Sequence, residues 1–246
     1  MSLYLTIDQG NSAAKMALWS GETLVDLSIE ERLTAAAVER FLRSHGGKVE
    51  GAMYCSVAAQ GKNIVEAVGG HCPNVMRLTS STPVPIAIDY RTPATLGADR
   101  VAAAVGAWAS YPGESLLVVD AGTAVTYDAV SADGHFLGGN IAPGMRMRLE
   151  ALHRFTARLP KVEVPWTLDY DTFLGYDTES AMILGAIYGI VGAISYYHGH
   201  LGADTRVVMT GGWAQQLSRL CDFDVSVEPD LVSKGLNRIL LYNENI

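Results

Sequence analysis

Short apolar, β-prone runs alternate with stretches of helical periodicity along the chain. The first run, residues 3–7 (LYLTI), stops at Asp8-Gln9-Gly10-Asn11-Ser12. Apolar positions resume over residues 14–19 and end at the turn Gly21-Glu22. This pattern predicts two strands joined by a polar loop. Residues 33–42 repeat apolar positions with helical spacing, and Thr34 is a candidate cap. Residues 51–58 read as a strand and 64–68 as a short helix. Residues 80–85 form a proline-punctuated connection, and 96–108 an alanine-rich helix.

Tyr111-Pro112-Gly113 is a break, and the pattern then begins again. Residues 115–119 (SLLVV) form an apolar strand ending in Asp120-Ala121-Gly122-Thr123-Ala124. Residues 125–130 resume as a strand, and Ala132-Asp133-Gly134 turns it. Strand, D-x-G-[NT], strand and turn thus occur twice, about half a chain apart. Two copies indicate duplicated halves instead of a solenoid. The expected lobes are 1–112 and 113–246. The second half continues with a glycine-rich loop at 138–144 (GGNIAPG), a helix over 145–159, and a loop containing Pro165 and Trp166. A strand at 205–210 ends in Gly211-Gly212. A short strand near Val225 and a helix over 232–242 close the chain.

Residues 181–199 carry no formal charge, and their length falls at the lower edge of what spans a bilayer. Small residues recur at Ala181, Gly185, Gly189 and Ala193. No second span accompanies the segment, and Lys/Arg do not flank it. The reading adopted is a buried helix whose glycine face admits another backbone closely, with no membrane partner.

Composition narrows the classes. Apolar residues make up 49% of the 246 and charged residues 18%, enough to build a core. The formal net charge of −8 repels a phosphate backbone, and no dense basic patch offsets it, so nucleic acid is an unexpected partner. Three unpatterned cysteines, Cys55, Cys72 and Cys221, suggest a reducing compartment. No basic-then-apolar leader opens the chain, so a cytoplasmic location is expected. The six histidines show no metal-binding spacing.

The repeated D-x-G-[NT] loop suits phosphate. Glycine lets backbone approach a ligand without an intervening Cβ, and successive amides in such a turn attract anions. Ser12 and Thr123 add hydroxyls, and Lys15 adds a positive charge. Asp8 and Asp120 can hold a cation that neutralises polyphosphate. The chain lacks a Walker A pattern and G-x-G-x-x-G. Two hairpins that pinch a triphosphate between similar domains are the alternative route, used by actin, sugar kinases and acetate kinase. This makes the expected fold α/β: duplicated ribonuclease H-like (actin-like ATPase) domains, each a mixed sheet flanked by helices. Gly211 and Gly212 would suit the adenosine end. Asp99 lies at the start of an alanine-rich helix, where a helix-capping role competes with a catalytic one, and Thr178 is a candidate helix cap before the apolar face that begins at Ala181.

At residue level the chain resembles the type III pantothenate kinases. Residues 8–15 (DQGNSAAK) look like that family's first phosphate motif, and 120–128 (DAGTAVTYD) like its second. Tyr90 with residues 93–100 (PATLGADR) resembles its substrate and catalytic segment. Residues 138–144 (GGNIAPG) and 175–181 (GYDTESA) match two further segments. Ser12 departs from the common threonine but keeps the hydroxyl.

The resemblance implies an ATP-dependent phosphorylation of pantothenate, the entry step of coenzyme A synthesis. It implies Asp99 as general base and Gly97, Ala98 and Arg100 as the frame of the substrate, with Tyr90 and Thr178 in contact with it. Asp8, Gly10, Asn11, Ser12, Lys15, Gly122 and Thr123 would serve ATP. Asp8 would organise Mg²⁺, and Asp120 a monovalent cation, K⁺ or NH₄⁺. A homodimer is implied, with substrate enclosed near the subunit boundary. Two alternatives stand beside this reading: a kinase for a sugar or short acid, and a non-catalytic nucleotide-binding regulator of the same fold.

Overall fold

The computed structural model describes residues 2–56, 62–164 and 172–244. The predicted loop around Pro165 and Trp166 and the last two residues of the predicted strand at 51–58 lie outside the described residues. The chain divides into two compact units. One comprises Met1–Gly113, Ser131–Leu137 and Asp230–Ile246. The other comprises Glu114–Val130 and Gly138–Pro229. A single cut at 112/113 therefore misses two segments that return to the first unit.

In the first unit, β1 (Tyr4–Gln9), β2 (Ala14–Ser20) and β3 (Thr23–Glu30) form an antiparallel meander. β4 (Gly51–Ser56) and β5 (Asn74–Arg77) add in parallel, giving the order β3-β2-β1-β4-β5. Leu5 and Ile7 of β1 and Met16 and Leu18 of β2 enter one core with helices α1 (Ala35–Arg43) and α2 (Lys62–Gly69). Thr34 caps α1 as predicted, its Oγ1 accepting from the Ala37 amide at 3.1 Å. Trp19 is buried yet satisfied, because its indole N–H donates to Thr6 Oγ1 at 2.9 Å.

α3 (Ala98–Ser110) packs against the last helix, α7 (Leu231–Glu244), also in the first unit. Glycine makes this approach possible. A Cβ on Gly235 would run into the Ala102 carbonyl, and one on Gly106 into the Leu231 carbonyl. Both helices are thereby buried along facing sides, including Ala102, Ala103 and Val105 on one and Leu236, Ile239 and Leu240 on the other. β6 (Ala87–Ile88) pairs in parallel with the start of β9 (His135–Pro143), at His135 and Phe136.

The second unit repeats the topology. β7 (Leu116–Ala121) and β8 (Ala124–Val130) are antiparallel, and β10 (Arg206–Thr210) and β11 (Val225–Val227) add to β7 in parallel. Reading β9-β8-β7-β10-β11 gives the same order as β3-β2-β1-β4-β5, which is the duplication in backbone form. Its helices are α4 (Met145–Phe155), α5 (Thr178–Leu201) and the short α6 (Ala214–Ser218). Leu117 and Val119 of β7 meet Met182, Ile183, Ile187 and Ile190 of α5 in one core. Among the described residues α5 alone is long and apolar enough to cross a membrane; its buried side builds this core.

Three expectations are corrected. Residues 138–143 are not a loop but most of β9, held in the sheet beside β8. Thr178 is the first residue of α5, not its cap. The cap is Asp177, whose carboxylate accepts from the Ser180 amide at 2.7 Å in a capping box. Among the described residues no other backbone packs closely on the glycines Gly185 and Gly189 of α5. A Cβ at Gly185 would meet nothing within 4 Å, and one at Gly189 would meet the Arg148 guanidinium. Close helix approach belongs instead to α3 and α7.

Candidate active site

The first acidic turn joins β1 to β2. Asp8 pairs in register with Lys15 on β2 and with Cys55 on β4. The turn is tight: the Gly10 amide donates to the Ala13 carbonyl at 3.0 Å. Its φ is not positive, so glycine serves here for space rather than for left-handed backbone. Asn11 and Ser12 are exposed at the tip, and Asp8 is partly buried at its root. Lys15 Nζ lies 3.4 Å from Asp230 Oδ1, a partner the sequence did not suggest.

Asp99 sits in the first turn of α3, behind Gly97 as N-cap. One carboxylate oxygen, Oδ1, accepts from the Arg100 amide at 2.9 Å. Gly97 is pressed against that same atom, since a Cβ there would lie 2.5 Å from Asp99 Oδ1. The charges of Asp8, in register with Cys55, and of Asp99 both reach the Cys55 thiol. Burial pushes the Cys55 thiol far above its ordinary range, and the charges of Asp8 and Asp99 push it further. The thiol therefore stays neutral beside two carboxylates.

Arg100 is buried, 5% exposed. Its guanidinium carbon lies 5.7 Å from the ring centroids of both Tyr90 and Phe136, within cation–π range. Tyr90 and Phe136 themselves meet edge to face at 6.1 Å and 68°. The segment leading to Tyr90 is tied down beside them. The Ala87 amide donates to the Gly134 carbonyl at 2.8 Å, and the Asp89 amide to the Phe136 carbonyl at 3.0 Å. His135 Nδ1 meets Asp89 Oδ2 at 2.9 Å. That hydrogen bond, helped by the Asp89 charge, raises the His135 pKa.

The second acidic turn joins β7 to β8 in the other unit and is walled by glycines. A Cβ on Gly211 would lie 2.5 Å from Asp120 Oδ1 and 2.6–2.7 Å from the Ala121 carbonyl. One on Gly144 would run into the carbonyls of Thr123 and Gly122. Gly211 also has φ of +93°, which disfavours any other residue. The Asp120 carboxylate and the carbonyls of residues 121–123 thus pack against glycine backbone, and the Ala121 and Thr123 carbonyls accept from the Trp213 and Gly144 amides at 3.1 and 3.2 Å. Thr123 and Gly212 are exposed.

The first unit thus holds Asp8, Gly10, Asn11, Ser12, Lys15, Tyr90, Gly97, Ala98, Asp99 and Arg100. The second holds Asp120, Gly122, Thr123, Thr178, Gly211 and Gly212. Thr178 is exposed at the start of α5. A cavity of about 410 Å³ in the first unit contains none of these residues; Trp19, Trp108, Lys234 and Asn237 are among its lining. No cluster of three or more metal-ligating side chains exists among the described residues. Sequence reasoning missed Phe136, His135, Asp230 and the wall formed by Gly144. Only Gly144 carried a signal, as the end of the GGNIAPG segment.

Comparison with known proteins bears on the fold and the family. A ROK hexokinase from Thermus thermophilus superposes with a TM-score of 0.53 at 13% identity, covering 98% of this chain and 99% of that one, which supports the actin-like fold alone. A type III pantothenate kinase from Porphyromonas gingivalis is 40% identical over 246 residues, covering 99% of this chain and all of that protein. One from Phocaeicola vulgatus is 38% identical over 249 residues, covering 98% and 99%. The family model described as type III pantothenate kinase matches residues 4–200. The chain belongs to the type III pantothenate kinase family.

Proposed function

We propose that this chain transfers the γ-phosphoryl group of ATP to the primary hydroxyl of pantothenate, giving 4'-phosphopantothenate and ADP, with Asp99 as general base. This is the first step of coenzyme A biosynthesis. The hydroxyl oxygen forms the new bond to phosphorus. The bond from the γ-phosphorus to the bridging oxygen breaks, and its electrons leave with ADP. The hydroxyl proton passes to the Asp99 carboxylate. Such transfer needs alignment and charge neutralisation more than covalent help.

The observation that supports the reading is the place of Asp99 in the first turn of α3, behind a glycine pressed on its carboxylate, in the same unit as the acidic turn rooted at Asp8. One unit thus holds an acceptor-side carboxylate and a phosphate-loop carboxylate. Gly97, Ala98 and Arg100 frame pantothenate, with Arg100 facing its carboxylate as a planar donor, and Tyr90 and Thr178 contact it. The backbone of Gly10, Asn11 and Ser12, with Lys15, grips phosphate oxygens, as do Gly122 and Thr123. Gly211 and Gly212 serve the nucleotide end.

Asp8 is a single carboxylate at a strand end, which suits Mg²⁺ completed by phosphate oxygens and water. The ion would supply neutralisation of the phosphate charge. The glycine-walled oxygens around Asp120 suit K⁺ or NH₄⁺. Exposed Ile141, Met147, Phe155, Phe173 and Tyr176 in the second unit support a homodimer in which they are covered. The enzyme works in the cytoplasm.

Coupled ADP release, run with pantothenate beside glucose, glycerol and acetate, tests the acceptor. The same assay on Asp99→Asn tests the base. Turnover should fall about 10²–10⁴-fold with the thermal melt preserved. Near-normal turnover would overturn the assignment of Asp99.

A further inference from the structure

We infer that Phe136, with Tyr90, forms an aromatic clip that sets the guanidinium of Arg100 for the substrate carboxylate, making Phe136 a positioning residue for acceptor binding. The inference rests on the proposed role of Arg100 and goes beyond it by naming what holds that side chain.

Phe136 is fully buried and Arg100 nearly so. The guanidinium carbon is equidistant, at 5.7 Å, from the Phe136 and Tyr90 centroids. The rings stand at 68° to each other, so both attract the guanidinium charge without both lying flat on it, and together they limit where the side chain can swing. An arginine held in this way also spends less conformational entropy when it meets a carboxylate. The clip is itself rigid. The two rings lock edge to face, and the Asp89 amide bonds the carbonyl of Phe136 itself. The neighbouring His135–Asp89 pair closes the same junction from outside. Phe136 therefore has three kinds of contact with the acceptor segment, although it lies far from it in sequence and carries no polar group.

The test compares Phe136→Leu and Phe136→Met with Phe136→Tyr in the ADP-release assay, each with pantothenate and with its alcohol analogue, in which the carboxylate is replaced. KM does not depend on the amount of folded enzyme, so partial unfolding lowers only apparent kcat. In the aliphatic variants KM for pantothenate should rise about 5- to 30-fold, the equivalent of one desolvated cation–ring contact. KM for ATP should stay unchanged, and KM for the alcohol analogue should change less than about 2-fold. Phe136→Tyr, which keeps the ring, should restore KM for pantothenate. An unchanged KM for pantothenate in both aliphatic variants overturns the clip. So does an equal rise with the alcohol analogue, or a tyrosine variant as impaired as leucine. Wild-type enzyme that releases no ADP with pantothenate sinks the earlier reading instead.

Discussion

Gly97→Ala separates chemistry from stability at one atom. The Cβ of alanine would stand 2.5 Å from Asp99 Oδ1, while its next neighbours, Arg100 Cδ and Cγ, lie at 3.6 and 3.7 Å, ordinary contact distances. Gly97 has φ of −58° and ψ of 130°, which alanine adopts without strain. The single collision is therefore with the proposed base, whose carboxylate must retreat by about 1 Å. A displacement of that size at a reacting group costs on the order of 10²-fold in rate. Stability should hardly move. Losing the Asp99 bond to the Arg100 amide costs about 1 kcal/mol. Stiffening the unfolded chain returns about 0.4–1 kcal/mol. The net shift in Tm for a chain of this size is within about 2 °C. The measurement pairs coupled ADP release with a circular-dichroism melt, Asp99→Asn serving as the floor. Wild-type turnover in Gly97→Ala would show that the carboxylate position seen here is not the one the reaction uses. A melt lowered by 5 °C or more would show that Gly97 holds the fold and not the base.

Two further outcomes follow from the first unit's packing and charge. Gly235→Ala drives a methyl group into the Ala102 carbonyl of a facing helix, and backbone cannot turn aside as a side chain can. Overpacking of about 3 kcal/mol, less about 1 from better helix propensity, lowers Tm by roughly 4–8 °C; an unmoved melt would mean the two helices do not approach as described. His135 has its pKa raised by Asp89, so its contribution is complete below its ordinary value near 6.5 and fades as pH climbs through the raised one. The melt of wild type should therefore lose an increment between pH 6 and pH 9 that His135→Gln does not lose, and matching pH profiles for the two proteins would exclude the pair.

How much of this was legible beforehand depends on the kind of signal. Strand-turn-strand repeats announce themselves through apolar runs ending in an aspartate, so Asp8 and Asp120 were found at once. Thr34 was read correctly as a cap because capping is local. Contacts between segments distant in sequence were not legible. Residues 138–143 carry the glycines of a loop, yet β8 and the sheet hold them extended. Small residues on α5 suggested a close helix contact, but small-residue spacing records only the possibility of approach. The approach occurs at Gly106 and Gly235, a pair separated by more than half the chain. Phe136 was invisible for the same reason: a phenylalanine in a strand reads as core until its partners are known.

The duplicated halves also show why repetition of a motif does not repeat a site. Strand order matches, the first two strands of each unit are antiparallel, and each acidic turn follows the first strand of its unit. Their surroundings have diverged in opposite directions. The first turn leaves Asn11 and Ser12 exposed at its tip, with Asp8 partly buried at its root. In the second, Gly144 and Gly211 close down on the carbonyls and on Asp120. Glycine at position 211 does this by two independent means, positive φ and missing bulk. Any substitution there would therefore strain the backbone and crowd the Asp120 carboxylate at once. Among the described residues the equivalent crowding is absent from the first turn, where a Cβ on Gly10 would meet only the Ala13 carbonyl, at 3.2 Å. Duplication supplied two similar loops, and packing against the rest of each unit left one tip open and walled the other with glycine.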